Sequence, residues 1–268
     1  MEVLVPVITM GILGLLFSIG LVFAHKRFQV YIDPKIEKLA EVLPQANCGA
    51  CGFAGCQAFA EAVVTGRALP SGCFAGGELV ATQLAAILGV KAETTVKSVA
   101  RLHCRGNFEA AKNRGFYLGI STCSAAHLIG GNKQCSFGCL HFGDCARACP
   151  FDAIVMAKDG LPQVKDEKCT ACGKCVEACP RNLFELHPLF QEVFVFCRSL
   201  DRGPTARKYC KNACIACGIC VRACPEAIVL EKNLAKIVDY KKIDPEKIPD
   251  IEKCPTAAIG RLSKKNEG

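Results

Sequence analysis

The run "KCTACGKCVEACP", residues 168 to 180, sets four cysteines at Cys-x2-Cys-x2-Cys-x3-Cys-Pro, and this spacing leaves the chain few options. Three cysteines so placed grip one cubane iron–sulfur cluster, and the fourth crosses to the other cluster of a pair. Zinc gives no account of it, because tetrahedral zinc sites use paired Cys-x2-Cys knuckles separated by a longer loop. The expected class is α+β, with tandem ferredoxin-like modules built around two-cluster motifs.

The other cysteines follow the same logic. There are 21 in 268 residues, an odd number, and most fall in tight clusters. A disulfide framework fits neither the length nor the crowding, and no cleavable signal peptide precedes them. Residues 3 to 24, "VLVPVITMGILGLLFSIGLVFA", carry no charge and match the ~20 residues of a membrane-spanning helix. Glu2 precedes the run and His25, Lys26 and Arg27 follow it, the reverse of a signal peptide. Residues 1–27 are therefore expected to be a single-span anchor in the cytoplasmic (inner) membrane. Its N-terminus lies outside and the iron–sulfur domains lie on the cytoplasmic side. The formal charge of +8 counts cysteines as neutral. A [4Fe–4S] cluster with four thiolates carries about 2−, so four such sites cancel the basic excess, and no nucleic-acid partner is implied.

Residues 28–90 read as a small helical domain around "CGACGFAGC". Ile36, Leu39 and Val42 or Leu43 form one helical face, and "QAFAEAVVTG" and "GELVATQLAAILGV" are further helices. Cys48, Cys51, Cys56 and Cys73 make one complete ligand set. Gly49, Gly52 and Gly55 let the backbone bend around cluster sulfurs and offer N–H groups to them.

Residues 96–196 and 197–268 read as two ferredoxin-like modules related by a diverged repeat. "TVKSVARLHC" and "EVFVFC" are strand-like runs that each end in Cys-Arg, and each is followed by a cysteine loop ending in Cys-Pro. Cys135 then matches Cys210, Cys139 matches Cys214 and Cys145 matches Cys220, while Phe142 stands opposite Cys217. The crossover rule gives Cys169, Cys172 and Cys175 to one cluster with Cys149. Cys139 and Cys145 share another with Cys179. Phe142 leaves that site one ligand short, with Cys135 the expected substitute and Cys104 or Cys123 the alternatives. Cys214, Cys217 and Cys220 find their distant fourth ligand in Cys254. Cys104, Cys123, Cys197, Cys210 and Cys224 remain; they are a fifth cluster's ligands through four of their number, or core thiols.

His103, His127, His141 and His187 read as surface or core residues, with His141 beside the irregular loop the one to watch. No G-x-G-x-x-G follows a strand, and no catalytic constellation emerges. The chain is expected to carry electrons without substrate chemistry of its own, so no catalytic residues are assigned. Structural or sensing clusters, or membership of another anaerobic membrane oxidoreductase, are the competing readings.

The anchor, "LPQANCGACGFAGCQAFAEA" with "LPSGC", and the repeats around Cys135 to Cys179 together resemble the B subunit of the Rnf complex. That complex is the ion-translocating electron transport complex of bacterial membranes. The cysteine sets give four [4Fe–4S] clusters, or five, and the resemblance implies electron exchange with reduced ferredoxin. It also implies partnership with membrane subunits A, D and E, with the flavin-bearing G subunit and with the nicotinamide-binding C subunit. Electron flow between ferredoxin and NAD would be coupled to sodium or proton movement. The second ferredoxin-like copy and Phe142 depart from the family's shortest form.

Overall fold

The computed structural model describes residues 4–28, 33–90 and 96–262. Helix α1 (Leu4–Phe28) is followed by three helices of the N-terminal domain: α2 (Pro34–Val42), α3 (Cys56–Val64) and α4 (Gly77–Leu88). The first ferredoxin-like module contains β1 (Ser98–Leu102), α5 (Cys123–Leu128), α6 (Asp144–Arg147), β2 (Ile154–Met156), β3 (Pro162–Val164), α7 (Lys174–Ala178) and β4 (Phe184–Pro188). Then come β5 (Val193–Val195), α8 (Gly203–Tyr209), α9 (Ile219–Ala223), β6 (Ile228–Glu231), β7 (Leu234–Ile237), α10 (Ile248–Glu252) and β8 (Ile259–Arg261). The fold is α+β, as expected.

Helix α1 has 25 residues. At ~1.5 Å per residue it exceeds the ~30 Å of a hydrocarbon core. From Val7 to Phe28 its mean hydropathy reaches 2.4, and none of it is buried by the rest of the protein. Apolar side chains face outward all round, as a helix that crosses a membrane would present them. The basic residues His25, Lys26 and Arg27 occupy its last turn.

In the N-terminal domain, Asp33 caps α2 by accepting the Lys35 N–H at 2.8 Å, and Pro34 fits the first turn, where no N–H is needed. The expected face is present: Leu39 and Leu43 are buried with Phe59, Val63 and Leu84, and Ile36 and Val42 pack against them. Helix α4 ends at Gly89, whose left-handed φ of 70° closes it. Most of the polar stretch expected to join this domain to the next lies outside the described residues.

The eight strands form four separate two-stranded antiparallel ladders. In each module an outer ladder embraces an inner hairpin: β1 with β4 around β2–β3, then β5 with β8 around β6–β7. The pairing of β5 with β8, Val193 opposite Arg261, puts that strand with the later module, although it precedes the expected boundary at residue 196. Such short ladders are marginal alone. Their cores are completed by thiols: Cys145, Cys169 and Cys175 sit among Val99, Ala153, Ile154 and Phe184. Arg105 joins the modules; its guanidinium lies 3.7 Å from the Phe196 ring centroid and donates to the carbonyls of Ala257 and Arg261.

Candidate metal centres

Four hollows, of about 330, 310, 370 and 360 Å³, are each lined by four cysteines. The first gathers Cys48, Cys51, Cys56 and Cys73. Its shape depends on Asn47, whose Oδ1 accepts the Cys56 N–H at 2.8 Å and so caps α3 from the loop. A Cβ on Gly55 would fall 2.7 Å from that oxygen, so any larger residue would push the Asn47 side chain off this bond. The second gathers Cys149, Cys169, Cys172 and Cys175, and the fourth gathers Cys214, Cys217, Cys220 and Cys254. These are the groupings expected from the crossover spacing.

The third hollow differs from expectation in one residue. It gathers Cys139, Cys145 and Cys179 with Cys123, while Cys135 lies elsewhere. The reason is local. Cys123 opens α5, with Thr122 as N-cap, and the Asp144 carboxylate accepts the N–H groups of Cys123 and Ser124, each at 3.0 Å. Cys135 is held away by Arg181, which donates to the carbonyls of Cys135 at 2.8 Å and Gly138 at 2.9 Å. Phe142 occupies the position of the missing cysteine and packs against Tyr117, with ring centroids 5.2 Å apart.

The backbone confirms that the three loops are copies. His141, Ala171 and Ala216 each adopt positive φ, at 68°, 55° and 55°, immediately before Phe142, Cys172 and Cys217. Gly143, Gly173 and Gly218 follow at φ of 76° to 77° and start α6, α7 and α9. The Cys-Pro ligands share a second turn: Asp152, Asn182 and Ala257 have φ of 49°, 50° and 50°, three residues after Cys149, Cys179 and Cys254. That turn aims the Ala153 N–H at the Cys149 sulfur (3.3 Å) and the Leu183 N–H at the Cys179 sulfur (3.4 Å). Cys224 lacks this arrangement, since the Ile228 N–H goes to its carbonyl at 3.0 Å.

Burial, with neighbouring thiols adding to it, pushes Cys145 and Cys175 up to about 12 and Cys220 to about 11, and raises Cys139 further. Thiols so packed ionise only when a cation takes up their charge, and ligation displaces their protons. None is paired as a disulfide. Among the described residues no three cysteine sulfurs lie within 4.8 Å of one another. That is wider than one zinc ion draws its ligands, with Zn–S near ~2.3 Å, and it suits a cubane between them. The donor sets fit [4Fe–4S] clusters.

The histidines serve the fold. His141 Nε2 bonds the Gly106 carbonyl at 2.9 Å, and its ring meets Phe108 edge-on. His103, Glu185 and His187 bring their donor atoms together, a grouping that the spacing did not reveal. There Arg198 pairs with Glu185 and supplies the cation, while His103 Nδ1 meets the Val195 carbonyl at 2.7 Å. This seam ties β1 and β4 to β5.

Several ferredoxin-type cysteine cages, joined to an apolar helix long enough to cross a membrane, define a multi-cluster electron carrier. Comparisons agree with that class. Residues 43–74 match the family described as "Putative Fe-S cluster", and residues 136–186 and 168–228 match 4Fe-4S dicluster domains. The chain is 49% identical over 259 residues to the B subunit of the Na(+)-translocating ferredoxin:NAD(+) oxidoreductase complex of Acetobacterium woodii, covering 96% of this chain and 77% of the relative. It is 40% identical over 260 residues to the B subunit of the proton-translocating ferredoxin:NAD(+) oxidoreductase complex of Clostridium ljungdahlii, covering 96% and 92%. The B subunit of the ion-translocating oxidoreductase complex of Methanosarcina acetivorans is 37% identical over 201 residues, covering 74% and 76%. The chain belongs to this family, the B subunits of the Rnf complex, and is an iron–sulfur electron-transfer subunit with multiple [4Fe–4S] clusters.

Proposed function

We propose that this protein receives single electrons from reduced ferredoxin on the cytoplasmic side of the membrane and passes them to the other subunits of its complex, A, C, D, E and G. Bound [4Fe–4S] clusters supply one-electron storage, with cores alternating between 2+ and 1+. The ligand sets are Cys48, Cys51, Cys56 and Cys73; Cys149, Cys169, Cys172 and Cys175; Cys123, Cys139, Cys145 and Cys179; and Cys214, Cys217, Cys220 and Cys254.

The observation that carries this reading is that four such cages stand in one chain, with two of them adjacent: Cys145 and Cys179 of one pack in the same core as Cys149, Cys169 and Cys175 of another. Adjacent cages suit a relay. Cys217 alone among the cysteines is exposed, so its cage is the one best placed to exchange electrons with a docked partner. The relatives' names give sodium in one case and a proton in another, so ion movement is a property of the whole complex rather than of these cages.

The test is an anaerobic titration of the full-length protein with reduced ferredoxin, followed by EPR. Stoichiometric appearance of reduced-cluster signals supports the relay. Intact clusters that ferredoxin leaves oxidised would sink it and favour a structural or sensing role.

A further inference from the structure

Five cysteines lie outside the four hollows: Cys104, Cys135, Cys197, Cys210 and Cys224. We propose that Cys104, Cys135, Cys197 and Cys210 hold a further [4Fe–4S] cluster at the seam between the two ferredoxin-like modules, with Lys133 as its buried counter-charge. The inference rests on the cluster-binding reading of the other cages.

Each module contributes the same two cysteines. Cys104 and Cys197 leave the strands β1 and β5, and Cys135 and Cys210 open the two cysteine loops. Their sulfurs receive equivalent hydrogen bonds. Gly106 and Cys139 donate N–H groups to Cys104 at 3.3 and 3.5 Å; Ser199 and Cys214 donate to Cys197 at 3.4 and 3.3 Å. Amide donors to sulfur are the recurrent second layer of cluster cages.

The segment 110–114 brings the loops together. Ala111 bridges Cys210 and Asn113 bridges Lys133, while Gln134 N–H donates to the Lys112 carbonyl at 2.9 Å. Gly106 is the hinge of approach: a Cβ there would sit 3.4 Å from the Cys104 sulfur and 3.5 Å from the Cys210 sulfur. No three of these cysteine sulfurs lie within 4.8 Å of one another, which is wider than one zinc ion draws its ligands.

Lys133 is the independent observation. It is 2% exposed, yet among the described residues its ammonium has only the Ala111 carbonyl at 3.4 Å and the Phe108 ring face, 5.5 Å to the centroid. A buried ammonium without an anion is costly by several kcal/mol. An anionic four-thiolate cluster at this point resolves the deficit. Cys224 stays outside the set, because it lacks the sulfur-directed turn of the other Cys-Pro ligands. The N–H groups of Cys139 and Cys214, each from a residue of a flanking cage, reach this site's sulfurs, so it bridges the cages of both modules.

The experiment uses the full-length protein purified anaerobically, with iron and sulfide analysis and EPR after reduction. Wild type should carry about 20 iron atoms rather than about 16. Cys197→Ala and Cys210→Ala should each lose about one fifth of the iron, and the double variant no more than either. Cys224→Ala should keep all of it. Lys133→Met, which leaves every ligand in place, should move the midpoint potential of one EPR component to more negative values. A wild type with about 16 iron atoms, or a Cys210→Ala protein with wild-type iron, overturns this site while the four other cages stand. Wild-type protein with no [4Fe–4S] signal would overturn those cages as well.

Discussion

Asp144 holds Cys123 in place from twenty-one residues further along the chain: its carboxylate accepts the N–H groups of Cys123 and Ser124, each at 3.0 Å, and also the Ser124 hydroxyl at 3.1 Å. Burial works against the charged form, but these donors, with Arg147 alongside, keep the carboxyl below its usual range. A negative charge at the start of α5 also suits the exposed N–H groups there. One acidic residue thereby converts a cysteine from a remote segment into the fourth wall of a cage.

Cys123→Ala should remove one cluster's iron and sulfide and one EPR component, leaving the cage of Cys149, Cys169, Cys172 and Cys175 intact. Asp144→Ala should loosen the same cluster without removing a ligand. Charge-assisted hydrogen bonds contribute about 1.5–3 kcal/mol each, so loss of iron to a chelator should accelerate about tenfold or more. Asp144→Asn, which keeps one acceptor, should fall between. Full iron retention in Cys123→Ala would return Cys135 to the ligand list of this cage.

How far the sequence carries can be judged from this cage. Fixed local spacing made Cys169, Cys172 and Cys175 plain, and the Cys-Pro crossover reached Cys149, Cys179 and Cys254. Cys123 was only one of three candidates, because its place depends on a tertiary hydrogen bond to Asp144 and not on spacing. Cys135 was the nearer choice in sequence, yet Arg181 holds its carbonyl and its side chain does not line this hollow. The one local signal was Thr122-Cys123 at a helix start, which reads equally well as an ordinary cap. The strand pairing was hidden for a similar reason: β1 and β5 were legible as apolar runs, but their partners β4 and β8 lie about 86 and 66 residues further on, at separations that strand patterning alone does not pair.

The N-terminal cage predicts a magnetic signature. Cys48 is among the groups that raise the Cys172 thiol, after burial, so reduced clusters in these two cages should couple, broadening their EPR signals. Cys51→Ala should abolish the N-terminal cluster and sharpen the signal of its neighbour, with the other clusters unchanged. Metal binding and local folding are linked, so circular dichroism should also report loss of part of α3. A Cys51→Ala protein whose remaining signals keep their full breadth would separate the two cages.

Glu185 predicts a stability effect away from any cluster ligand. Hydrogen bonding from His187 and Arg198 holds its carboxyl down at about 2, against the opposing pull of burial. A depressed carboxylate pKa stabilises the fold above the unfolded value of ~4.3, and the effect is lost as pH falls through about 2. Its contribution should therefore be complete at neutral pH. Glu185→Gln leaves Arg198 without its anion and should lower the thermal midpoint by about 2–4 °C at pH 7, corresponding to ~1 kcal/mol for this half-exposed pair. An unchanged midpoint would mean that solvent fully replaces the pair.

The last prediction concerns the side of the membrane. Helix α1 ends in His25, Lys26 and Arg27 and has no acidic residue in its first turn. Cationic residues flanking a span remain on the cytoplasmic side, so the cages that follow should lie in the cytoplasm, where a reducing environment also keeps their thiols available for cluster assembly. Protease added to sealed right-side-out vesicles should leave the chain beyond residue 28 intact and digest it only after the vesicles are inverted or lysed. Moving the positive charge, with Lys26→Glu and Arg27→Glu together with Glu2→Lys, should make part of the population insert the other way. That fraction should be protease-sensitive from outside and deficient in iron. Cleavage of the wild-type cages in sealed vesicles would reverse the assignment and place ferredoxin exchange on the opposite face.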